Sequence, residues 1–302
     1  MIRVRAFAKI NLSLRVLGML ADGYHELRTV FQSIALHDTL TIRRARGPFR
    51  LDCDNESCPT DSTNLIWRAA DAVWKASGRR GPARDASITL TKRIPIAAGL
   101  GGGSSDGAAA LRALAKMWRV GADQLPEIAA SLGADVPYFL HGGTVLGLER
   151  GDLLFPLIDQ PRAWVTLVVP SFRVSTKDAY SWWDAEARGV EAITERGRGV
   201  EHVAERGVEH VAERGRGPAR ELRNDLEAPV TKRHPEIRRI VRALGRAGAS
   251  SAAMTGSGST VFGLFDRRRA AFRAAEALAT RARRTLVTRT LTRAEYRRLA
   301  AK

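Results

Sequence analysis

The stretch with the most chemistry per position is Gly99-Leu100-Gly101-Gly102-Gly103-Ser104-Ser105-Asp106. Four glycines in five positions let a backbone take left-handed and crowded conformations and bring its N–H groups close to a ligand. Ser104 and Ser105 then open a predicted helix whose free N–H groups and dipole attract anions. The combination suits a phosphate cradle; the plainer alternative is a tight connection between two elements. It is not a P-loop, because no Gly-Lys-Ser/Thr follows, and the spacing and downstream acid are wrong for a dinucleotide fingerprint.

Two polar residues elsewhere add to the cradle. Lys9 and Asn11 share one face of an apolar strand, Ala6 to Leu12, where polar groups are costly to bury without partners. Asp135 follows Gly133-Ala134, and Pro137 suits the first turn of a new helix, which places the carboxylate near a helix N-terminus that keeps it ionised. An ionised carboxylate and a buried ammonium are what phosphoryl transfer to an alcohol needs: one takes the hydroxyl proton, the other lowers that hydroxyl's pKa and offsets charge. An ordinary buried ion pair between Lys9 and Asp135 is the equal alternative.

The elements that must hold these residues read as a mixture. Val4 to Val16 and Thr39 to Arg43 are predicted strands, and Asp22-Gly23 marks a turn that leaves Tyr24 and His25 exposed at a loop edge. Asn64 follows three N-cap residues, and Leu65, Ile66, Ala69, Ala70 and Val73 recur at helical spacing. A strand at Ala86 to Leu90 leads through Pro95 and the glycines into a helix carrying Leu111, Leu114, Ala115 and Trp118. Another helix runs from Leu125 to Leu132 and stops at Gly133. The pattern then restarts with a strand at Trp164 to Val169, a helix at Ile237 to Leu244, a strand-loop-strand over Ala252 to Phe265, a helix at Ala270 to Ala282 and a strand at Thr285 to Thr290. This order predicts an α+β or α/β protein of two layers with a boundary near residue 160.

Composition bounds the function classes. With 302 residues, 44% hydrophobic and 27% charged, the chain is neither disordered nor fibrous. Its formal charge is +17, carried by 49 basic residues against 32 acidic ones. A balance of that size points to anionic partners. The tail from Arg267 to Lys302 is strongly basic, but only Phe272 and Tyr296 lie among its charges as aromatic platforms, so it reads as a solvated, arginine-biased face. Cys53 and Cys58 have no neighbouring Cys/His cluster to complete a zinc site. The charged N-terminus predicts no signal peptide, and the uncharged run Ala247 to Phe265 is too rich in Gly, Ser and Thr for a membrane span. Val200 to Gly207 repeats letter for letter at Val208 to Gly215, and glycines and charges there predict a mobile insert over 186–219.

Four separated motifs resemble those of the GHMP kinases, the galactokinase, homoserine kinase, mevalonate kinase and phosphomevalonate kinase superfamily. They are Ala8-Lys9-Ile10-Asn11-Leu12 with Asp22-Gly23-Tyr24-His25; Pro95 through Ser105; Gly133-Ala134-Asp135-Val136-Pro137; and Thr255-Gly256-Ser257-Gly258. The Lys-Ile-Asn and Asp-Gly-Tyr-His pairings are closest to the branch whose substrate carries a cytidine diphosphate. The resemblance implies an α+β fold of two domains: an N-terminal αβ sandwich of ribosomal-protein-like type over 1–160 and a C-terminal ferredoxin-like domain over 161–302, with the active site between them. It implies ATP as co-substrate with Mg2+, and a small alcohol bearing cytidine diphosphate as the other ligand. Asp135 would be the base and Lys9 its charged partner. Pro95, Ile96, Ala97, Ala98, Gly99, Leu100, Gly101, Gly102, Gly103, Ser104 and Ser105 would wrap the ATP phosphates, with Asn64 and Lys92 as outer nucleotide contacts. Asn11, Tyr24, His25, Phe31, Thr176, Tyr180, Gly256, Ser257 and Gly258 would face the substrate, His25 bonding the cytosine and an aromatic ring stacking on it. No metal ligand follows. A cytoplasmic monomer or homodimer with no nucleic-acid or membrane partner is expected. Two alternatives stay open: a homoserine- or mevalonate-type kinase, and an RNA- or nucleotide-binding protein on a kinase scaffold.

Overall fold

The computed structural model describes residues 1–196 and 222–301. The first half contains β1 (Ile2–Met19), β2 (His25–Pro48), β3 (Arg50–Cys53), α1 (Leu65–Ala76), β4 (Arg84–Thr91), α2 (Gly102–Trp118), α3 (Leu125–Leu132), α4 (Tyr138–His141), β5 (Thr144–Leu148) and β6 (Leu153–Pro156). The second contains β7 (Trp164–Pro170), α5 (Thr176–Arg196), β8 (Arg223–Asn224), α6 (Glu227–Arg233), α7 (Glu236–Arg246), β9 (Ser251–Met254), β10 (Val261–Phe265), α8 (Arg268–Leu278), β11 (Arg283–Arg289) and α9 (Arg293–Ala300).

The long β1–β2 hairpin organises the first sheet, whose order is β3-β4-β2-β1-β8. The two halves of β2 serve different neighbours: Thr29 to Gln32 pair with β5, and Thr39 to Pro48 pair with β4. Helices α1, α2 and α3 cover this sheet through a core that includes Ile66, Val73, Leu111, Leu114 and Ile88. Asn64 caps α1 by accepting the Ile66 N–H at 2.9 Å. Gly107 in α2 is a close-approach glycine: a Cβ there would stand 3.0 Å from the Leu65 Cβ, so the two helices meet at this point.

The second sheet has the order β11-β7-β10-β9, all antiparallel. Read in chain order with helices between β7 and β9 and between β10 and β11, this is the βαββαβ ferredoxin-like arrangement. An apolar seam joins the halves: Ala8, Ile10 and Leu12 of β1 pack with Leu100 against Val165, Leu167, Phe262 and Leu264 of the second sheet. The α+β fold of two sheets is the one expected.

Three expectations change. α8 stops at Leu278 and β11 runs from Arg283 to Arg289. α5 continues to Arg196 and so takes in the first eleven residues of the segment read as an insert; the duplicated octapeptide itself lies outside the described residues. The basic tail is partly structural. Arg283 pairs with Glu236 and Arg289 with Glu295, and Arg293 donates to the carbonyls of Thr144 and Leu157 at 2.9 and 3.0 Å. Among the described residues no helix is long and apolar enough to cross a membrane.

Candidate active site

A cleft of about 840 Å³ opens between the two sheets, with Lys9 and Asp135 at its base. Two register shifts in β1 bracket the polar pair, one between Phe7 and Lys9 and one between Asn11 and Ser13. Such bulges re-aim side chains and are common beside active sites. Lys9 Nζ donates to Asn11 Oδ1 at 2.7 Å and stands 3.6 Å from Asp135 Oδ2. The lysine side chain is 5% exposed and the carboxylate 38%, so the acid keeps an open side toward the cleft. Asn11 also bridges the halves: its N–H donates to Thr255 Oγ1 at 3.0 Å and its amide donates to Thr29 Oγ1 at 2.8 Å.

Asp135 sits in a turn closed by the Val136 N–H on the Gly133 carbonyl at 3.0 Å. The helix that follows, α4, has four residues. That is one turn, too short to sum much of a dipole, so the expectation of a helix-stabilised carboxylate gives way to Lys9 as the group that offsets its charge. α4 is held from behind. Tyr138 Oη donates to the Gly143 carbonyl at 2.9 Å, and Tyr296 Oη of α9 donates to the Phe139 carbonyl at 2.6 Å. The sequence reading missed α9, although Thr292 and Glu295 form a capping box that its spacing announces.

The loop from Pro95 to Gly101 runs between the cleft, which Gly99 and Gly101 line, and a second cavity of about 250 Å³. Ala97, Gly99 and Gly101 have φ of 54°, 74° and 69°. A Cβ on Gly99 would meet the Thr255 carbonyl at 2.5 Å, and one on Gly101 would meet Phe139 Cζ at 2.7 Å and Lys9 Cγ at 3.1 Å. Gly101 takes the N-cap position of α2 with no side-chain cap, which leaves the first-turn N–H groups without side-chain acceptors. α2 thus begins at Gly102, two residues before the predicted start. Pro95, Ile96 and Ala98 line the second cavity, with Arg173, Ser259 and Arg284 opposite, and Ala97 borders both spaces. The loop is tied to β1 where the Lys9 N–H meets the Leu100 carbonyl at 3.0 Å.

Some expected nucleotide residues have their side chains committed elsewhere. Leu100 is 1% exposed in the apolar seam. Ser105 donates its hydroxyl to the Phe7 carbonyl at 2.7 Å. Asn64 caps α1 and donates to the Pro59 carbonyl at 2.6 Å. Lys92 borders the second cavity, but its ammonium lies between Asp38 and Asp106. Gly102, Gly103 and Ser104 stand at the start of α2, and Gly103 is open to solvent.

The far end of the cleft gathers the expected substrate residues. His25 Nε2 is 2.7 Å from Asp184 Oδ1, its ring stacks on Tyr180 at 4.6 Å between centroids, and Trp183 meets it edge-on at 5.8 Å. Burial, then the charge of Asp135, pushes the Tyr180 phenol above its usual range, so it remains a neutral ring. Phe31 lines the same space with Lys9 Nζ 5.4 Å from its centroid. Thr176 and Ser257 hydroxyls meet at 3.1 Å across the mouth, and Gly256 and Gly258 complete that edge. Tyr24 is 59% exposed under Arg150, which pairs with Asp22. Asp184 and Thr29 escaped the sequence reading because neither has a recognisable local spacing. Asn224 did too: it holds the late glycine loop by donating to the Gly256 carbonyl at 2.8 Å.

Comparison with known proteins accords with this geometry. The model of the GHMP kinases N terminal domain matches residues 64–143, and that of the GHMP kinases C terminal region matches 209–284. A 4-diphosphocytidyl-2-C-methyl-D-erythritol kinase of Solibacter usitatus is 43% identical over 98% of this chain and 92% of its own length. One of Moorella thermoacetica is 41% identical over 95% of this chain and 98% of its own. A crystal structure of 4-(cytidine 5'-diphospho)-2C-methyl-D-erythritol kinase superposes with a TM-score of 0.73 at 32% identity, covering 95% of this chain and 98% of that one. A mevalonate kinase structure shares the fold at a TM-score of 0.65 and 14% identity, covering 97% and 100%. With its glycine loop, its lysine–aspartate pair and full-length likeness to these relatives, the chain belongs to the 4-diphosphocytidyl-2-C-methyl-D-erythritol kinase family of GHMP kinases.

Proposed function

We propose that the protein transfers the γ-phosphoryl group of ATP to the 2-hydroxyl of 4-diphosphocytidyl-2-C-methyl-D-erythritol, in the cytoplasm, as a step toward isopentenyl diphosphate. The observation that carries this reading is the position of Lys9 and Asp135, 3.6 Å apart, where the glycine loop meets the cleft. Asp135 Oδ2 accepts the hydroxyl proton as the substrate oxygen bonds to the γ-phosphorus. The bond from that phosphorus to the β–γ bridging oxygen breaks, and ADP leaves. Lys9, held by Asn11, lowers the hydroxyl's pKa and offsets the negative charge building between the reacting oxygens. Backbone N–H groups of Gly101 to Ser104 cradle the phosphates, and the second cavity takes the nucleoside end of ATP.

Mg2+ fits as a companion of the triphosphate. Among the described residues no group of three or more His, Cys, Asp or Glu side chains is placed to hold a resident ion. Magnesium usually keeps several waters and is bound largely through substrate phosphates, so it would arrive with the triphosphate and not need a cage of protein ligands. When bound, the ion would offset charge on the phosphate oxygens. At the other end, Tyr24, His25, Phe31 and Tyr180 supply the aromatic and hydrogen-bonding surface for cytosine, with about 1 to 3 kcal/mol from each stacked ring. Asn11, Thr176, Gly256, Ser257 and Gly258 line the path between.

A coupled ADP-release assay on purified protein with ATP and magnesium tests the reading. Turnover is expected on the cytidylyl substrate and none on homoserine or mevalonate; the reverse pattern removes the substrate assignment and leaves a GHMP kinase of another type.

A further inference from the structure

Outside the Lys9–Asp135 pair lies a second set of the same residue types, more deeply buried. The Lys92 side chain is 5% exposed, with its ammonium 2.5 Å from Asp38 Oδ2 and 2.6 Å from Asp106 Oδ2. Asp38 is wholly buried and Asp106 is 3% exposed. The other oxygen of Asp38 accepts the N–H groups of Arg93 at 2.5 Å and Ile94 at 2.8 Å, the two residues just before the glycine loop begins at Pro95. Asp106 stands in α2, just past the end of the same loop. One cation therefore ties the entrance of the loop to its exit, and a strand residue of β2 holds the entrance by its backbone. Lys92 adds a further anchor through its own N–H, which donates to Asp54 Oδ1 at 2.8 Å.

The clamp is tight enough to shape the loop. A Cβ on Gly102 would stand 3.1 Å from Lys92 Nζ and 3.0 Å from Ile94 Cγ2, so the loop closes directly over the ammonium. Burial works against the charge on Lys92, but Asp106 and Asp38 outweigh it and hold the ammonium above its usual range. Burial pushes the Asp106 carboxyl well above the carboxylate range, against the pull of Lys92. An ammonium shared by two carboxylates has little attraction left for a third anion, although Lys92 borders the cavity where a nucleotide phosphate or base would lie.

We infer that Asp38, Lys92 and Asp106 form a buried clamp that fixes the two ends of the glycine loop, so that they act as positioning residues for ATP and Lys92 is not a ligand of the nucleotide. The inference rests on reading the loop as the ATP site. Its physical basis is that a displacement of about 1 Å in a binding loop is enough to lower turnover by about a hundredfold.

The two roles for Lys92 differ in a rescue experiment. Lys92→Met leaves two buried carboxylates with no cation, and is expected to raise the ATP KM by about tenfold or more while the KM of the alcohol substrate stays within about threefold. Adding Asp106→Asn removes one stranded charge and leaves Asp38 on its two N–H donors, so the double variant is expected to recover most of the ATP affinity. A phosphate-binding lysine predicts no recovery. Asp38→Asn, which keeps Lys92, is expected to raise the ATP KM by about tenfold through the loosened entrance. Failure of the rescue, or a normal ATP KM in Asp38→Asn, overturns the clamp. If Lys92→Met does not fold, Asp38→Asn decides by itself: weaker ADP binding supports the clamp, and unchanged binding overturns it. Calorimetric titration with ADP reads these affinities without turnover, so failure of the substrate assignment and failure of the clamp remain distinguishable.

Discussion

Lys9 with Asp135 and Lys92 with Asp38 and Asp106 are built from the same chemistry and reach opposite ends of use. In the first set the contact is 3.6 Å and the carboxylate is 38% exposed. In the second the contacts are 2.5 and 2.6 Å, and the carboxylates are closed off from solvent. A carboxylate can accept a proton from a ligand only if the ligand can reach it, so openness on the acid separates the pair proposed to react from the one proposed to be structural. The lysines are equally buried, at 5% each, and do not make the distinction. The difference teaches that the accessibility of the acid is what tells two buried Lys–Asp sets beside one glycine loop apart.

The largest effect should come from the open acid. Asp135→Asn keeps the shape but cannot take a proton, and is expected to lower kcat by about 10² to 10⁴ with the ATP KM nearly unchanged, as measured by steady-state ADP release. The thermal midpoint should move little, because the side chain is partly exposed. Near-normal kcat would break the comparison at its centre by removing Asp135 as the base.

Setting the two lysines against each other sharpens it further. Breaking a buried charge set by removing one partner typically destabilises by about 3 to 5 kcal/mol, and Lys92→Met strands two carboxylates. Lys9→Met strands one, and that one reaches water. Denaturant unfolding should therefore rank Lys92→Met as the less stable, while kcat should rank Lys9→Met as the less active. The opposite order in both would mean that the open pair is the structural one.

These two sets were unequally legible in the sequence. Lys9 and Asn11 stand out locally, as polar residues two apart in an apolar strand, and Asp135 stands between a glycine and a proline. Lys92 could be noted but not understood, because Asp38 lies 54 residues away and Asp106 14. The fold divides in the same way. α3 was readable to the residue, since Gly133 stops it, and α1 was readable in the same local terms, although its cap is Asn64 and not one of the three cap-type residues before it. β2 was legible only over Thr39 to Arg43. Its earlier part carries the buried polar residues Gln32, Ser33 and Asp38, which disrupt alternation and find partners far off, such as the Leu291 carbonyl 2.8 Å from Gln32 Nε2. The cleft itself needed the seam between the sheets, and no local pattern places Thr255 against Asn11.

The smallest effects test whether the loop between the two sets is shaped by sterics or by composition alone. Gly101 and Gly103 are two residues apart in one glycine run, and their surroundings differ. At Gly101 the backbone has φ of 69°, and an added Cβ would press on the Phe139 ring and the Lys9 stem. Gly101→Ala is expected to lose about 1 to 2 kcal/mol to the left-handed conformation alone, and to lower kcat further by shifting Lys9. At Gly103 an added Cβ would meet nothing within 4 Å, and the residue lies in the first turn of α2. Gly103→Ala should leave the fold intact and raise stability by about 0.4 to 1 kcal/mol through the unfolded chain. Thermal unfolding of the two variants measures both signs. A stable, fully active Gly101→Ala would mean that Phe139 and Lys9 yield freely, and the open pair would then owe less to the loop than its contacts indicate.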